Sequence, residues 1–225
     1  MFAINPYIAG NPVGNSSAFV GRADILHQVR RVLRHPEENA MVLYGQRRIG
    51  KTSVLQALEA KLSKEGPYYP ISVDLQDKAS WEISLFLQEL ANKISETLGQ
   101  AKPDLGPAPE TTFRQVWLPD LLKTLPTETS LVLLFDEFDV LADPQSDKAG
   151  AAFFRYLRVL LATEPKRLNL VFVIGRNLDD LTHIAMLLFK DIRALRVSLL
   201  SHDETVELVR LSEANNGLNW SNEAK

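Results

Sequence analysis

The stretch LYGQRRIGKTSVL, from Leu43 to Leu55, constrains this chain more than any other. It sets Gly45, Gly50, Lys51 and Thr52 directly after a short apolar run and directly before an amphipathic one. Met41–Tyr44 reads as a short buried strand, and Lys51–Leu62 as a helix with Val54, Leu55, Leu58 and Leu62 inward. A strand that feeds a glycine loop and then a helix gathers backbone N–H groups and the positive helix end at one point. The four residues satisfy G-x-x-x-x-G-K-[ST]. In that spacing glycines let the backbone approach a phosphate, Lys51 reaches the β and γ phosphates, and Thr52 offers its hydroxyl to Mg²⁺. The alternative is a glycine-rich turn with an exposed lysine, against which the flanking strand and helix speak. Arg48, Ile49 and Ser53 are counted with the phosphate-binding loop. Arg47 and Arg48 make it cationic, and either touch phosphate or a partner or stand in solvent.

A second apolar run ends in acid. In LVLLFDEFD, Leu131–Phe135 reads as a central parallel strand, and Asp136 follows at its end. An acid there holds Mg²⁺ through water, and Glu137 stands where a general base polarises the attacking water of an in-line phosphoryl transfer. The bland reading is that Asp136, Glu137 and Asp139 form a polar loop after a strand. Neither an N-K-x-D segment nor a D-x-x-G at Asp136 occurs, so ATP is expected rather than GTP.

Around these motifs, strands alternate with helices. A helix carries Ile25, Leu26, Val29, Val32 and Leu33 on one face and stops at Pro36. Further elements are a strand near Tyr69–Leu75, a helix near Trp81–Leu98, and a helix over Phe113–Leu125 kinked or restarted at Pro119. Then come a helix near Lys148–Thr163, strands near Leu168–Ile174 and Leu195–Leu199, and between them a helix near Leu178–Phe189. Ser201 and Glu204 have capping-box spacing, so a last helix starts there and runs toward Asn215. The expected fold is α/β, a P-loop NTPase three-layer sandwich on a five-stranded, mainly parallel sheet, with the start of a helical lid. Residues 1–20 are expected to form an extended arm, 21–200 the core and 201–225 the beginning of a truncated helical lid, as expected of a fragment of a longer protein.

Composition narrows the partners. With 45% hydrophobic residues in 225, a full core can form. The formal charge is -3 and acids and bases are interspersed, so nucleic acid is not expected. Cysteine is absent, which excludes disulfides and thiolate metal sites. No signal peptide or membrane span is visible, so a cytoplasmic protein is expected. His27, His35, His183 and His202 show no metal spacing. Trp81, Trp117 and Trp220 read as helix-face packing, and Asp74 and Gln76 either face the γ-phosphate side or cap a strand end.

The arm NPYIAGNPV, then FVGRADIL (Phe19 to Leu26), YGQRRIGKTS and LLFDEFDVL together resemble the ATPase module of bacterial and archaeal STAND proteins. These are signal transduction ATPases with numerous domains, relatives of the AAA+ proteins, and the resemblance runs from about Asn5 to the chain end. It implies an ATP/ADP site with Mg²⁺, adenine contacts at Val20 and Gly21, and a γ-phosphate sensor at Arg176, with Asn177 as the fallback. The plainer reading of Arg176 is a salt bridge to Asp179 or Asp180, and Arg155 and Arg158 read as a solvated helix face rather than arginine fingers. The function expected is a slowly hydrolysing nucleotide switch of a multidomain signalling ATPase. Its protein partners would act through lid, sensor and effector domains outside the chain, with an ATP-dependent oligomer as a further possibility. The alternatives are a DNA-handling AAA+ ATPase of initiator or clamp-loader type and a non-hydrolysing nucleotide-binding scaffold.

Overall fold

The computed structural model describes residues 7, 10–35, 37–142, 149–175 and 188–214. Five strands form one sheet: β1 (Ala40–Tyr44), β2 (Tyr68–Asp74), β3 (Ser130–Asp136), β4 (Leu168–Ile174) and β5 (Arg193–Arg196). Their order across the sheet is β2-β3-β4-β1-β5, and every neighbouring pair is parallel. The expected three-layer architecture is present. Alternation along each strand decides which layer a side chain joins. Val42, Leu133, Phe135, Leu170 and Phe172 point to one core, shared with the helices α3 (Ile83–Thr97), α5 (Leu118–Thr124) and α6 (Ala149–Thr163), the short α4 (Pro109–Thr112) burying no residue there. Met41, Leu43, Val132, Leu134 and Val171 point to the other, covered by α1 (Ala23–Leu33) and α2 (Lys51–Leu62).

Strands β3 and β4 are buried at every position, which is why their sequences are continuous apolar runs. β5 differs. It lies two residues before its expected start, because it is an edge strand whose Arg193, Ala194 and Arg196 face solvent and leave no apolar signature. The apolar Leu199, expected inside that strand, is 79% exposed. Pro109–Thr112 is a helical turn ahead of the helix expected over Phe113–Leu125, whose first part, Phe113–Trp117, is a π-helical turn that joins it to α5. Pro119 sits in the first turn of α5, where its missing N–H costs nothing, so the helix restarts there. α3 starts at Ile83, leaving Trp81 outside it under the Lys78 ammonium, 4.0 Å from the ring centre. The last described helix, α7 (His202–Ala214), has its capping box: Ser201 Oγ accepts from Glu204 N at 3.2 Å and Glu204 Oε2 from Ser201 N at 2.7 Å. Most of the helix expected near Leu178–Phe189, with His183, and Trp220 lie outside the described residues.

The turn that follows β3 is anchored by aromatic packing. Phe138 lies in the 3-10 turn Phe138–Ala142 and is fully buried. Its ring meets Phe172 edge-on at 4.6 Å and Phe154 at 5.5 Å. Such a plug fixes the chain just past Asp136 and Glu137. Phe138→Ala is expected to cost about 3–5 kcal/mol through the cavity it leaves, lowering the melting temperature by roughly ten degrees. Urea and thermal unfolding of the variant check this.

Candidate functional site

The loop between β1 and α2 is shaped by two glycines for two different reasons. A Cβ on Gly45 would stand 2.4 Å from the Val197 carbonyl oxygen, so the loop leaves the sheet only if that residue has no side chain. Gly50 has open space around it but a φ of 97°, a left-handed conformation that glycine adopts freely. It precedes α2 without capping its first-turn amides through a side chain, and that turn holds no acid. The uncompensated positive end suits an anion. Arg48 also has positive φ, 62°, and both Arg47 and Arg48 are exposed.

Lys51 is 6% exposed, and its Nζ donates to the Gly45 and Gln46 carbonyls at 3.1 and 2.9 Å. Burial lowers its pKa, opposed by the charges of Glu137, Asp139 and Asp136. Those acids come from the end of β3. Asp136 is 8% exposed, and its carboxylate accepts from the Thr52 hydroxyl and, at 3.0 Å, from Glu137 N. Burial raises the Asp136 pKa against those hydrogen bonds. Glu137 is half-buried and holds a φ of 52°, a conformation that costs a non-glycine residue about 1 kcal/mol or more. Burial and then the charges of Asp139 and Asp136 raise its pKa as well. Asp139 is buried for another reason: its Oδ1 accepts from Gly175 N at 2.9 Å, latching the end of β4 to the turn after β3.

Among the described residues no three acids or histidines form a ready-made metal cage. Mg²⁺ bound with a nucleotide does not need one, since it keeps several waters and takes one or two protein ligands plus phosphate oxygens. Thr52 and Asp136, hydrogen-bonded to each other at the loop, fit that partial role.

Two adjoining cavities meet at this loop. One, of about 610 Å³, is lined by Lys51, Thr52, Glu137 and Arg47 together with Asn11 and Pro12 of the arm. The other, of about 410 Å³, has an apolar wall of Val20, Phe19, Ile49 and Leu208. Val13, Arg48, Ile49, Gly50 and Ser53 border both. A polar compartment joined to an apolar one is the shape a polyphosphate with a flat base requires.

Among the described residues the predicted ones mostly converge here, and Gly21 and Ser53 have further roles. Gly21 abuts Glu204 of α7, whose Oε1 would stand 2.5 Å from a Cβ there, and not the apolar cavity. Ser53 borders the cavities, yet its Oγ accepts from Val13 N at 3.1 Å and so also holds the arm. Arg176 and Asn177 lie outside the described residues. Asp74 caps its own strand end, accepting from Gln76 N at 2.9 Å. Arg155 and Arg158 are exposed on α6, and Arg158 borders a cleft beside Glu38 and Asn39, which precede β1 at the sheet end opposite Lys51. Sequence reasoning missed Arg22, Glu204 and Asp139 as site-building residues. Their contacts are long-range, and only the acid cluster around Asp136 hinted at the last.

A comparison with curated proteins finds no match. Among solved structures, the Walker-type ATPase PABY2304 of Pyrococcus abyssi is similar with a TM-score of 0.65 at 17% identity, over 96% of this chain and 64% of that one. The Aeropyrum pernix ORC1 protein, solved in complex with DNA, is similar at 0.58 and 18% identity, over 87% of this chain and 50% of that one. Domain III of the Thermotoga maritima replication initiation protein DnaA is similar at 0.54 and 16% identity, over 95% and 78%. The chain therefore spans 64% and 50% of the length of the first two. These likenesses carry the fold. They also overturn the expectation that nucleic acid is not a partner, because a protein of this fold is held on DNA in one of them. Net charge was the wrong guide: what meets phosphate is a local surface, and an overall balance of -3 does not describe one. Among protein families, the model described as AAA domain matches residues 34–182, which include the glycine loop and the acidic strand end, and the chain belongs to that family.

Proposed function

We propose that the chain is an ATP-binding and hydrolysing module whose nucleotide state governs action on DNA, as part of an assembly of initiator type. The observation that carries the ATPase part is the meeting of Lys51 and Thr52 with Asp136 and Glu137 at the C-terminal ends of the strands. The DNA part is supported by the similarity to an ORC1 protein in complex with DNA and to domain III of the replication initiation protein DnaA. In this reading Gly45, Arg48, Ile49, Gly50 and Ser53 shape the phosphate loop, Lys51 holds the outer phosphates, and Val20 faces the adenine. Thr52 and Asp136 would hold Mg²⁺, which supplies charge neutralisation at the transferring phosphoryl group. Glu137 orients and deprotonates water, and Arg176 is proposed as the γ-phosphate sensor. A second reading, the nucleotide switch of a signalling ATPase of STAND type, draws on the arm. Tyr7 Oη donates to the Val209 carbonyl of α7 at 2.6 Å, so the arm and α7 are joined beside the base cavity, as a conformational output would need.

Three measurements test these readings. Glu137→Gln is expected to lower single-turnover phosphate release at least a hundredfold while ATP still binds; unchanged release removes the catalytic assignment. The same variant has an opposite effect on stability. A carboxyl whose pKa is raised by folding binds its proton more tightly in the folded state. Stability is therefore lost as pH rises from the unfolded value of about 4.3 through the raised folded value. Nucleotide-free Glu137→Gln should thus melt above the wild type at neutral pH, and the gap should close in acid. The DNA reading expects ATP-dependent duplex binding that weakens linearly in a log–log plot against salt. No binding at low salt with ATP favours the signalling reading.

A further inference from the structure

Neither the loop motif nor the acidic strand accounts for Arg22. It precedes α1 with a φ of 62° and is 7% exposed. A guanidinium is expensive to bury unless its donors find acceptors. Here Nη1 donates to the Ser198 carbonyl at 2.6 Å and Nη2 to the Ile49 carbonyl at 3.1 Å, while the backbone N donates to Glu204 Oε1 at 2.7 Å. One residue thus joins the phosphate loop, the link after β5 and the first turn of α7.

Two details make this more than packing. The Ile49 carbonyl and the Gly50 N–H belong to the same peptide unit, and in a trans peptide the two point in opposite directions. Holding the Ile49 oxygen therefore aims the Gly50 N–H, at the residue that borders both cavities. On the other side, Glu204 spends one carboxylate oxygen on the capping box of α7 and the other on Arg22 N. Gly21 allows that approach, because any Cβ there would press on Glu204 Oε1 at 2.5 Å. α7 cannot tilt away without breaking the bond to Arg22, and Arg22 cannot shift without releasing Ile49.

We infer that Arg22 and Glu204 are a positioning pair that couples the stance of α7 to the phosphate loop, so that nucleotide affinity and the order of the first turn of α7 rise and fall together. The inference rests on the nucleotide site proposed above. Coupling of this kind is reciprocal: if α7 sets the affinity, the nucleotide sets α7 by the same factor.

The test measures ADP affinity, and hydrogen exchange at the first-turn amides of α7 with and without ADP, in the wild type, Arg22→Lys, Glu204→Gln and the double variant. Arg22→Lys keeps the charge but cannot span two carbonyls. Glu204→Gln keeps the shape but has only one accepting oxygen to divide between Ser201 N and Arg22 N. Wild type should bind ADP and gain protection in α7. Each single variant should bind about fivefold more weakly and lose the ADP-dependent protection, with the double no worse than the weaker single. A purely structural role would lower the melting temperature of both variants but leave the ADP-induced protection intact, and that result overturns the pair. If Arg22→Lys does not fold, Glu204→Gln alone decides, since its side chain is partly exposed. A wild type that does not bind ADP overturns the nucleotide reading itself and the pair with it. A wild type that binds, beside variants that bind equally well, overturns the pair alone.

Discussion

The site hangs on a buried ammonium. Lys51 has lost most of its water, and what keeps it charged is a pair of loop carbonyls and three carboxylates from the end of β3 and the turn after it. Neither group could be buried alone at acceptable cost, since an unpaired charge in a protein interior is worth several kcal/mol of destabilisation. The loop and the acidic strand end therefore need each other. They can meet only because β1, β4 and β3 finish level: Leu43 pairs with Val173, and Phe135 with Phe172. β4 lies between the two strands that carry the chemistry, and Asp139 ties its end to the turn through Gly175. Phe138 fills the core behind that turn, so Glu137 is held in a backbone conformation it would not adopt freely.

Electrostatics at the loop remain unbalanced in a useful direction. Burial raises the pKa of both Asp136 and Glu137, with repulsion from Asp74 adding to the first and from Asp139 and Asp136 to the second. A cation arriving with a nucleotide relieves that repulsion, while phosphate oxygens can replace the loop carbonyls on Lys51. The same binding step would press on the walls of the cavities, which are made of separate segments: the arm, the loop and α7. The arm is fixed to α2 through Ser53 and Gln56, at a point where Gly14 lies so close that a Cβ would overlap the Ser53 carbonyl oxygen at 2.0 Å. It is fixed to α7 through Tyr7. The phosphate loop, arm and α7 thus share the cavity walls, the physical condition for one to bias another.

What could be read from the sequence was local. The strand, glycine loop and helix around Lys51 obey spacing rules over a dozen residues, and the capping box of Ser201 and Glu204 obeys one over four. β3 and β4 announced themselves because burial on both faces demands unbroken apolar runs. β5 was legible only in part, expected from Leu195 rather than Arg193, because an edge strand needs no such run and the apolar residues extend past its end. The contacts that close the site were illegible for a different reason. Arg22 meets Glu204 across 182 positions and Asp139 meets Gly175 across 36, and a single side chain-to-backbone bond at such distance leaves no periodic trace. Gly21 illustrates the difference: a turn glycine in the sequence, it is in the fold the gap through which α7 reaches Arg22.

The central claim is that Lys51 and its acid partners form a nucleotide site, and thermal unfolding with and without Mg-ATP tests it most directly. With ATP at about a thousand times its dissociation constant, linkage adds about 4 kcal/mol to the folded state, which should raise the melting temperature of the wild type by roughly ten degrees. Lys51→Ala should lose most of that rise. An unmoved wild type, or an equal rise in the variant, would contradict the account.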